Sequence, residues 1–259
     1  MDWLDIARAW LGTFDEVAPG TIEGLYVVGS VALQDWQPHA SDVDIIAITA
    51  EPADEEVAGT LLTAHAVYHD RYPAATIDGP FLAWGDLTTA PQAITRPWTL
   101  DGLFHHDAEC FEINPVTWCT LANYGVHVRG PEINTIPVWR DRQELVRFVK
   151  ENARTYWKSV LGELRGALTE LRPTDTLPST VPQWCLLGTC RMLYTAATGD
   201  VASKSAAGLW AGEVLGEQHR TTCARVVELR AEPEQPVGTD LLAATADAMA
   251  EALRLIATV

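Results

Sequence analysis

A chain of 259 residues, 47% hydrophobic and 20% charged, can fill one large core or two smaller ones and is too balanced for a disordered or low-complexity protein. Its formal net charge of −17 repels polyanions, which argues against nucleic-acid binding and leaves polycationic partners or plain solubility as the use of that charge. Five cysteines, an odd number without CxxC spacing, argue against a disulfide framework or a zinc site.

The start of the chain, Met1-Asp2-Trp3-Leu4-Asp5, lacks the basic-then-apolar order of a secretory signal, and no apolar stretch reaches membrane-spanning length. The expectation is a soluble, cytoplasmic protein with no membrane partner, and a monomer as the simplest oligomeric state. Residues 2–17 repeat apolar positions at helical spacing up to Pro19-Gly20. The apolar runs Leu25-Tyr26-Val27-Val28 and Ile45-Ile46-Ala47-Ile48 read as buried strands. A helix is expected over 53–70, then a strand over 74–84 interrupted by Gly79-Pro80, then a long loop-like excursion over 85–110. A helix from Pro115 to Tyr124 and a strand Val126-His127-Val128 close this part. Beyond it the pattern turns helical: 143–171, 182–198 ending at Gly199, Ser203 to Gly216, about 217–231, and a last helix capped by Thr239. The stretch from Arg172-Pro173 to Thr180 reads as a linker. The boundaries are set at 1–141 for an α/β domain and 142–259 for a helical bundle.

The chemistry concentrates between residues 29 and 44, in Gly29-Ser30, ten residues, and Ser41-Asp42-Val43-Asp44. On a strand, i and i+2 share a face, so Asp42 and Asp44 present two carboxylates side by side. Like charges that close repel unless a cation lies between them, and Mg²⁺ binds carboxylate and triphosphate oxygens together. Gly29 admits close backbone approach, and Ser30 supplies a hydroxyl at a helix start that favours anions. The competing account is an aspartate-rich turn. A third carboxylate is expected from a neighbouring strand, to complete the metal site or take the proton of an attacking hydroxyl. Asp78, inside a strand-like run, is the first choice, with Asp86, Asp101 and Asp107 weaker because they sit in loop-like sequence.

This motif resembles that of the nucleotidyltransferase superfamily. The segment from Leu187 through Arg191, Tyr194, Thr198-Gly199 and Lys204 to Ala207, with Pro115 to Pro131 before it, resembles the streptomycin/spectinomycin-type aminoglycoside adenylyltransferases more narrowly. The resemblance implies an α+β protein: a nucleotidyltransferase domain with a mixed sheet, then an α-helical bundle, with ATP in the cleft between them. It implies Asp42 and Asp44 as ligands of two Mg²⁺ ions and Ser30 and Ser41 as nucleotide contacts. Lys204 matches the lysine that reaches the triphosphate, and Arg191 the arginine on the preceding helix.

Two departures stand out. The family's general base is a glutamate, whereas Asp78 occupies the matching position here. The acidic residue that meets a cationic drug is missing from Thr180-Val181-Pro182-Gln183-Trp184. Trp184 is the expected acceptor contact, through stacking or a cation–π pair, with packing in the bundle as the equal alternative. Trp84, Trp98, His105 and His106 are the other residues available to an acceptor. The implied activity is AMP transfer from ATP to a hydroxyl of a small, possibly cationic molecule, an aminoglycoside above all. The alternatives are adenylylation of a partner protein and a nucleotide-binding regulator of weak activity.

Overall fold

The computed structural model describes residues 1–259 except His39 and Asp107, so the expectation on Asp107 lies outside the described residues. The chain forms two compact units, Met1–Arg140 and Asp141–Val259. In the first, the elements run α1 (Trp3–Val17), β1 (Gly24–Val27), α2 (Gly29–Ala32), β2 (Val43–Thr49), α3 (Glu55–Arg71), β3 (Ile77–Ala83), β4 (Trp98–Leu100), β5 (Leu103–His105), α4 (Pro115–Tyr124) and β6 (Val126–Arg129). The second contains α5 (Arg142–Asn152), α6 (Lys158–Glu170), β7 (Thr176–Pro178), α7 (Thr180–Pro182), α8 (Gly188–Thr198), α9 (Lys204–Val214), α10 (Glu217–Glu228), β8 (Pro236–Gly238) and α11 (Thr239–Ile256). The fold class is α+β.

The six-stranded sheet has the order β5-β4-β3-β2-β1-β6 and is mixed: β2 and β3 are parallel, and the other pairs are antiparallel. The unbroken apolar runs of the sequence have a direct cause, since both faces of the sheet are covered. Ile45 and Ala47 pack with Trp10, Phe14, Leu61 and Tyr68 from α1 and α3. Ile46 and Ile48, pointing the other way, pack with Tyr26, Leu82, Trp118 and Leu121. Asp2 and Asp54 cap α1 and α3 by accepting the N–H of Asp5 and Val57 at 2.8 and 2.9 Å.

Three expectations need correction in this unit. Gly79-Pro80 does not interrupt the strand, because β3 runs through both, with Gly79 opposite Thr99 and Pro80 opposite Trp98. The donor that Pro80 lacks is offset by its neighbour, as the Phe81 N–H bonds the Pro97 carbonyl at 2.9 Å. The 85–110 excursion is not a plain loop: it contains the β4–β5 hairpin, which extends the sheet. Trp98 is 5% exposed and stacks on His105 at 4.4 Å between ring centroids, so it serves packing.

In the second unit, Trp157, Leu161, Leu164, Cys185 and Met249 form a core from several helices. Two π-turns, Ala153–Trp157 and Gln183–Leu187, lie inside the helical stretches expected over 143–171 and 182–198. The linker read over 172–180 holds β7, paired antiparallel with β8, and the Ser179 hydroxyl donates to the Glu232 carbonyl at 2.7 Å. Thr239 is the first residue of α11 and not its cap, which is Gly238. Ser203 does cap α9, accepting the Ala206 N–H at 3.1 Å.

Candidate active site

The parallel pairing of β2 with β3 brings two of the expected carboxylates together, since Asp44 lies in register with Asp78. Asp42 stands one residue before β2, exposed, and its carbonyl accepts the Trp36 indole N–H at 3.2 Å. Asp44 is half-buried, and its own carbonyl accepts the Val28 N–H at 2.9 Å, which ties the end of β1 to the start of β2.

Gly29 follows that tie with φ +56°, and a Cβ placed on it would sit 1.7 Å from Asp44 Oδ2. Only glycine lets the backbone lie against this carboxylate without displacing it. Ser30 comes next in α2, and its buried hydroxyl has no hydrogen-bond partner among the described residues. An orphaned buried hydroxyl costs free energy unless something meets it, and a phosphate oxygen would. The Ser41 hydroxyl accepts the Gln37 N–H at 3.2 Å, which makes it part of the loop that delivers Asp42. A cavity of about 600 Å³ opens beside Asp42, with Trp36, Ser41, Tyr72, Thr76 and Asp101 among its walls.

Asp78 is 1% exposed. Its Oδ2 accepts the Asp101 N–H at 3.2 Å, and its Oδ1 has no partner among the described residues. Burial, with the charge of Asp42 adding to it, pushes its carboxyl up to about 6. Asp86, one of the weaker candidates, is occupied otherwise: Arg96 holds it at 2.6 and 2.7 Å, and it accepts the Ala83 N–H at 2.8 Å.

A fourth carboxylate belongs to the cluster and was not expected. Glu112 lies in the irregular segment before α4, and burial, followed by the charges of Asp44, Asp78 and Asp42, pushes it up to about 9. It is partly exposed, whereas Asp78 is sealed. No local signal marks it, because a glutamate in an acidic stretch ahead of a helix start is ordinary sequence.

The cluster fits a cation through its charge. The charge of Asp42 raises the proton affinity of Asp78, and those of Asp44, Asp78 and Asp42 raise that of Glu112; a divalent ion would relieve that repulsion. Among the described residues no three His, Cys, Asp or Glu side chains form a ready metal chelate. An ion held by Asp42 and Asp44 would therefore complete its shell with outside oxygens, as Mg²⁺ does with water and phosphate.

The remaining expected residues lie in the second unit. Lys204 opens α9, and its Nζ stands 5.8 Å from the centroid of the Trp184 ring. Trp184 is 50% exposed and also meets Trp157 at 5.6 Å between centroids, so it is not sealed in the bundle. Arg191 is half-buried on α8. Lys204 and Trp184, expected to serve separate ligands, form one group.

Residues 147–253 match the family model of the aminoglycoside adenylyltransferase C-terminal domain. No curated protein sequence matches the chain. Among solved structures, the chain is similar to the spectinomycin adenyltransferase AAD(9) from Enterococcus faecialis, solved with ATP and spectinomycin. The TM-score is 0.64 at 12% identity, over 96% of this chain and 98% of that one. At that identity the likeness establishes the fold. Residues 147–253 are thus similar to the C-terminal domain of aminoglycoside adenylyltransferases, and the chain shares the fold of AAD(9) along nearly its whole length.

Proposed function

We propose that the protein transfers AMP from ATP to a hydroxyl of an aminoglycoside-class small molecule, in a Mg²⁺-dependent reaction that releases pyrophosphate. The observation that carries this reading is the meeting of Asp42, Asp44, Asp78 and Glu112 beside the Gly29-Ser30 turn. The family match over 147–253 and the likeness to an enzyme solved with ATP and spectinomycin support the choice of donor and acceptor.

Asp42 and Asp44 would hold the metal, with two ions as the expected number. Bound there, Mg²⁺ supplies positive charge against the triphosphate and the departing pyrophosphate. The Gly29 backbone and the Ser30 hydroxyl meet phosphate oxygens, and Ser41 keeps the Asp42 loop in place. Lys204 and Arg191 add positive charge for the polyphosphate, and Trp184 offers a ring face to the acceptor. Electrostatic stabilisation of this kind is ordinarily the largest contribution to phosphoryl and nucleotidyl transfer.

The acceptor hydroxyl must lose a proton as its oxygen bonds to the α-phosphorus and the bond to pyrophosphate breaks. With Asp42 and Asp44 given to the metal, Asp78 and Glu112 are the two carboxylates of the cluster left to take it. Sealed as it is, Asp78 orients the site and acts through a neighbour, while Glu112 is open enough to meet the hydroxyl.

The experiment is pyrophosphate release from ATP with Mg²⁺ across a panel of aminoglycosides and other hydroxylated small molecules, using wild type, Asp42→Asn and Asp44→Asn. Each variant should fall below about 1% of the wild-type rate while keeping its melting temperature. Turnover at more than a few per cent in either would remove the metal assignment, and a wild type inert toward the whole panel would remove the acceptor class.

A further inference from the structure

The turn between β4 and β5 touches the carboxylate cluster on one side and α3 on the other. Both of its central residues have positive φ, 51° at Asp101 and 76° at Gly102. The Asp101 N–H donates to Asp78 Oδ2 at 3.2 Å. At the next residue the Gly102 carbonyl lies 3.0 Å from His65 Nε2. A carbonyl only accepts, so Nε2 carries the proton in that bond. A Cβ on Gly102 would lie 2.6 Å from His69 Cε1, so the turn also rests against the second histidine. His65 and His69 are one turn apart on α3, with their rings 6.4 Å between centroids and 10° from parallel.

His65 is 3% exposed, and its Nδ1 has no partner among the described residues. An imidazole that only filled space would be replaced at less cost by an apolar ring, because burying a polar ring with one nitrogen unmatched is unfavourable. The bond it does make is to the residue beside the one that bonds Asp78. The turn is therefore clamped at both ends: Gly102 by the helix, Asp101 by the carboxylate.

We propose that His65 is a positioning residue of the transfer site: through the Gly102 carbonyl it fixes the Asp101 amide, and through that amide the orientation of the Asp78 carboxylate beside Asp44. Its functional part rests on reading the carboxylate cluster as the place of AMP transfer. His65 touches neither substrate nor metal and acts only through the turn. The Asp78 Oδ2 bond to Asp101 leaves Oδ1 as the oxygen available to the cluster, and a loosened turn would free both oxygens to rotate.

The test uses His65→Phe, His65→Gln and Gly102→Ala in the full chain. Glutamine keeps an N–H donor at the end of the side chain, and phenylalanine keeps the volume without it. Hydrogen exchange at the Asp101 amide, followed by NMR, should be slow in wild type and His65→Gln and at least about tenfold faster in His65→Phe. In AMP transfer, His65→Phe should lower kcat by about 10- to 100-fold with KM for ATP within about twofold, and His65→Gln should recover most of the loss. Gly102→Ala leaves His65 intact but puts a Cβ on a turn residue at φ +76°, where any side chain strains the turn, and against the His69 ring. It should reproduce both effects and decides the matter if His65→Phe does not fold. Unchanged Asp101 exchange in His65→Phe would overturn the clamp. Faster exchange with unchanged kcat, in a wild type that transfers AMP, would overturn the link to Asp78. A wild type that transfers AMP to no acceptor would count against the transfer reading, and with it the functional part of this proposal, while the exchange measurement still decides the clamp.

Discussion

Gly29→Ala is the sharpest single perturbation, because the geometry separates its effect on the site from its effect on the fold. Alanine at φ +56° is in the left-handed region, at a cost of about 1–2 kcal/mol. The added methyl would begin 1.7 Å from Asp44 Oδ2, where ordinary contact starts at 3.4 Å. The carboxylate must therefore retreat by about 1.7 Å, and misplacement of a reacting group near 1 Å costs on the order of a hundredfold in rate. The stability term, spread over a chain of this size, corresponds to a loss of about 2–8 °C in Tm. The expected result is a fold that melts slightly earlier and transfers AMP about a hundredfold more slowly, with the loss in kcat. The assay pairs steady-state pyrophosphate release at saturating ATP with differential scanning calorimetry on the same preparation. A variant keeping more than about a third of wild-type kcat would show that the Asp44 position is not the one chemistry uses.

The other predictions follow from the same site. Glu112→Gln should raise the Tm of the metal-free protein at pH 8, and the gain should fade as pH falls toward about 4.5. The sign follows from a folded-state value pushed up to about 9: the wild-type side chain favours folding while protonated and loses that contribution as pH rises through the window, whereas glutamine does not titrate. Calorimetry across pH checks this, and a pH-independent difference would mean that Glu112 does not share the field of the aspartates. Lys204→Ala should weaken binding of a non-hydrolysable ATP analogue without unfolding the second unit, since the residue is a half-buried lysine at the start of α9. Titration calorimetry reads the affinity, and an unchanged value would return Lys204 to the role of a lid on the Trp184 ring. Trp184→Ala should raise KM for the acceptor more than KM for ATP, and an equal rise in both would mean that the ring supports Lys204 and not the acceptor.

The elements most legible in the sequence were those whose pattern has a local cause. The two apolar runs flanking the motif read as buried strands, and β1 and β2 are. The helices α1, α3 and α4 carry their own start and stop signals in Asp2, Asp54, Asn114 and Gly125. Gly79-Pro80 misled because turn chemistry is a local signal, and a neighbouring strand overrode it by pairing with both residues. The π-turns at Ala153–Trp157 and Gln183–Leu187 left no mark, because one extra residue in a helical turn shifts the apolar stripe without breaking it.

What the sequence supplied by itself was the proposed chemistry: a glycine, serines and a pair of aspartates at strand ends, in a spacing that would serve a phosphate and a cation. The glycine proves necessary in the structure for a reason the spacing did not state, the contact of its backbone with the Asp44 carboxylate. What only the tertiary structure decided was the company those residues keep. Parallel pairing of β2 and β3 sets Asp78 against Asp44, the β4–β5 turn holds Asp78 from His65, and the irregular segment before α4 turns Glu112 into the same field. Residues so far apart along the chain meet by strand register and loop path, and neither periodicity nor motif spacing encodes where two distant segments come to touch.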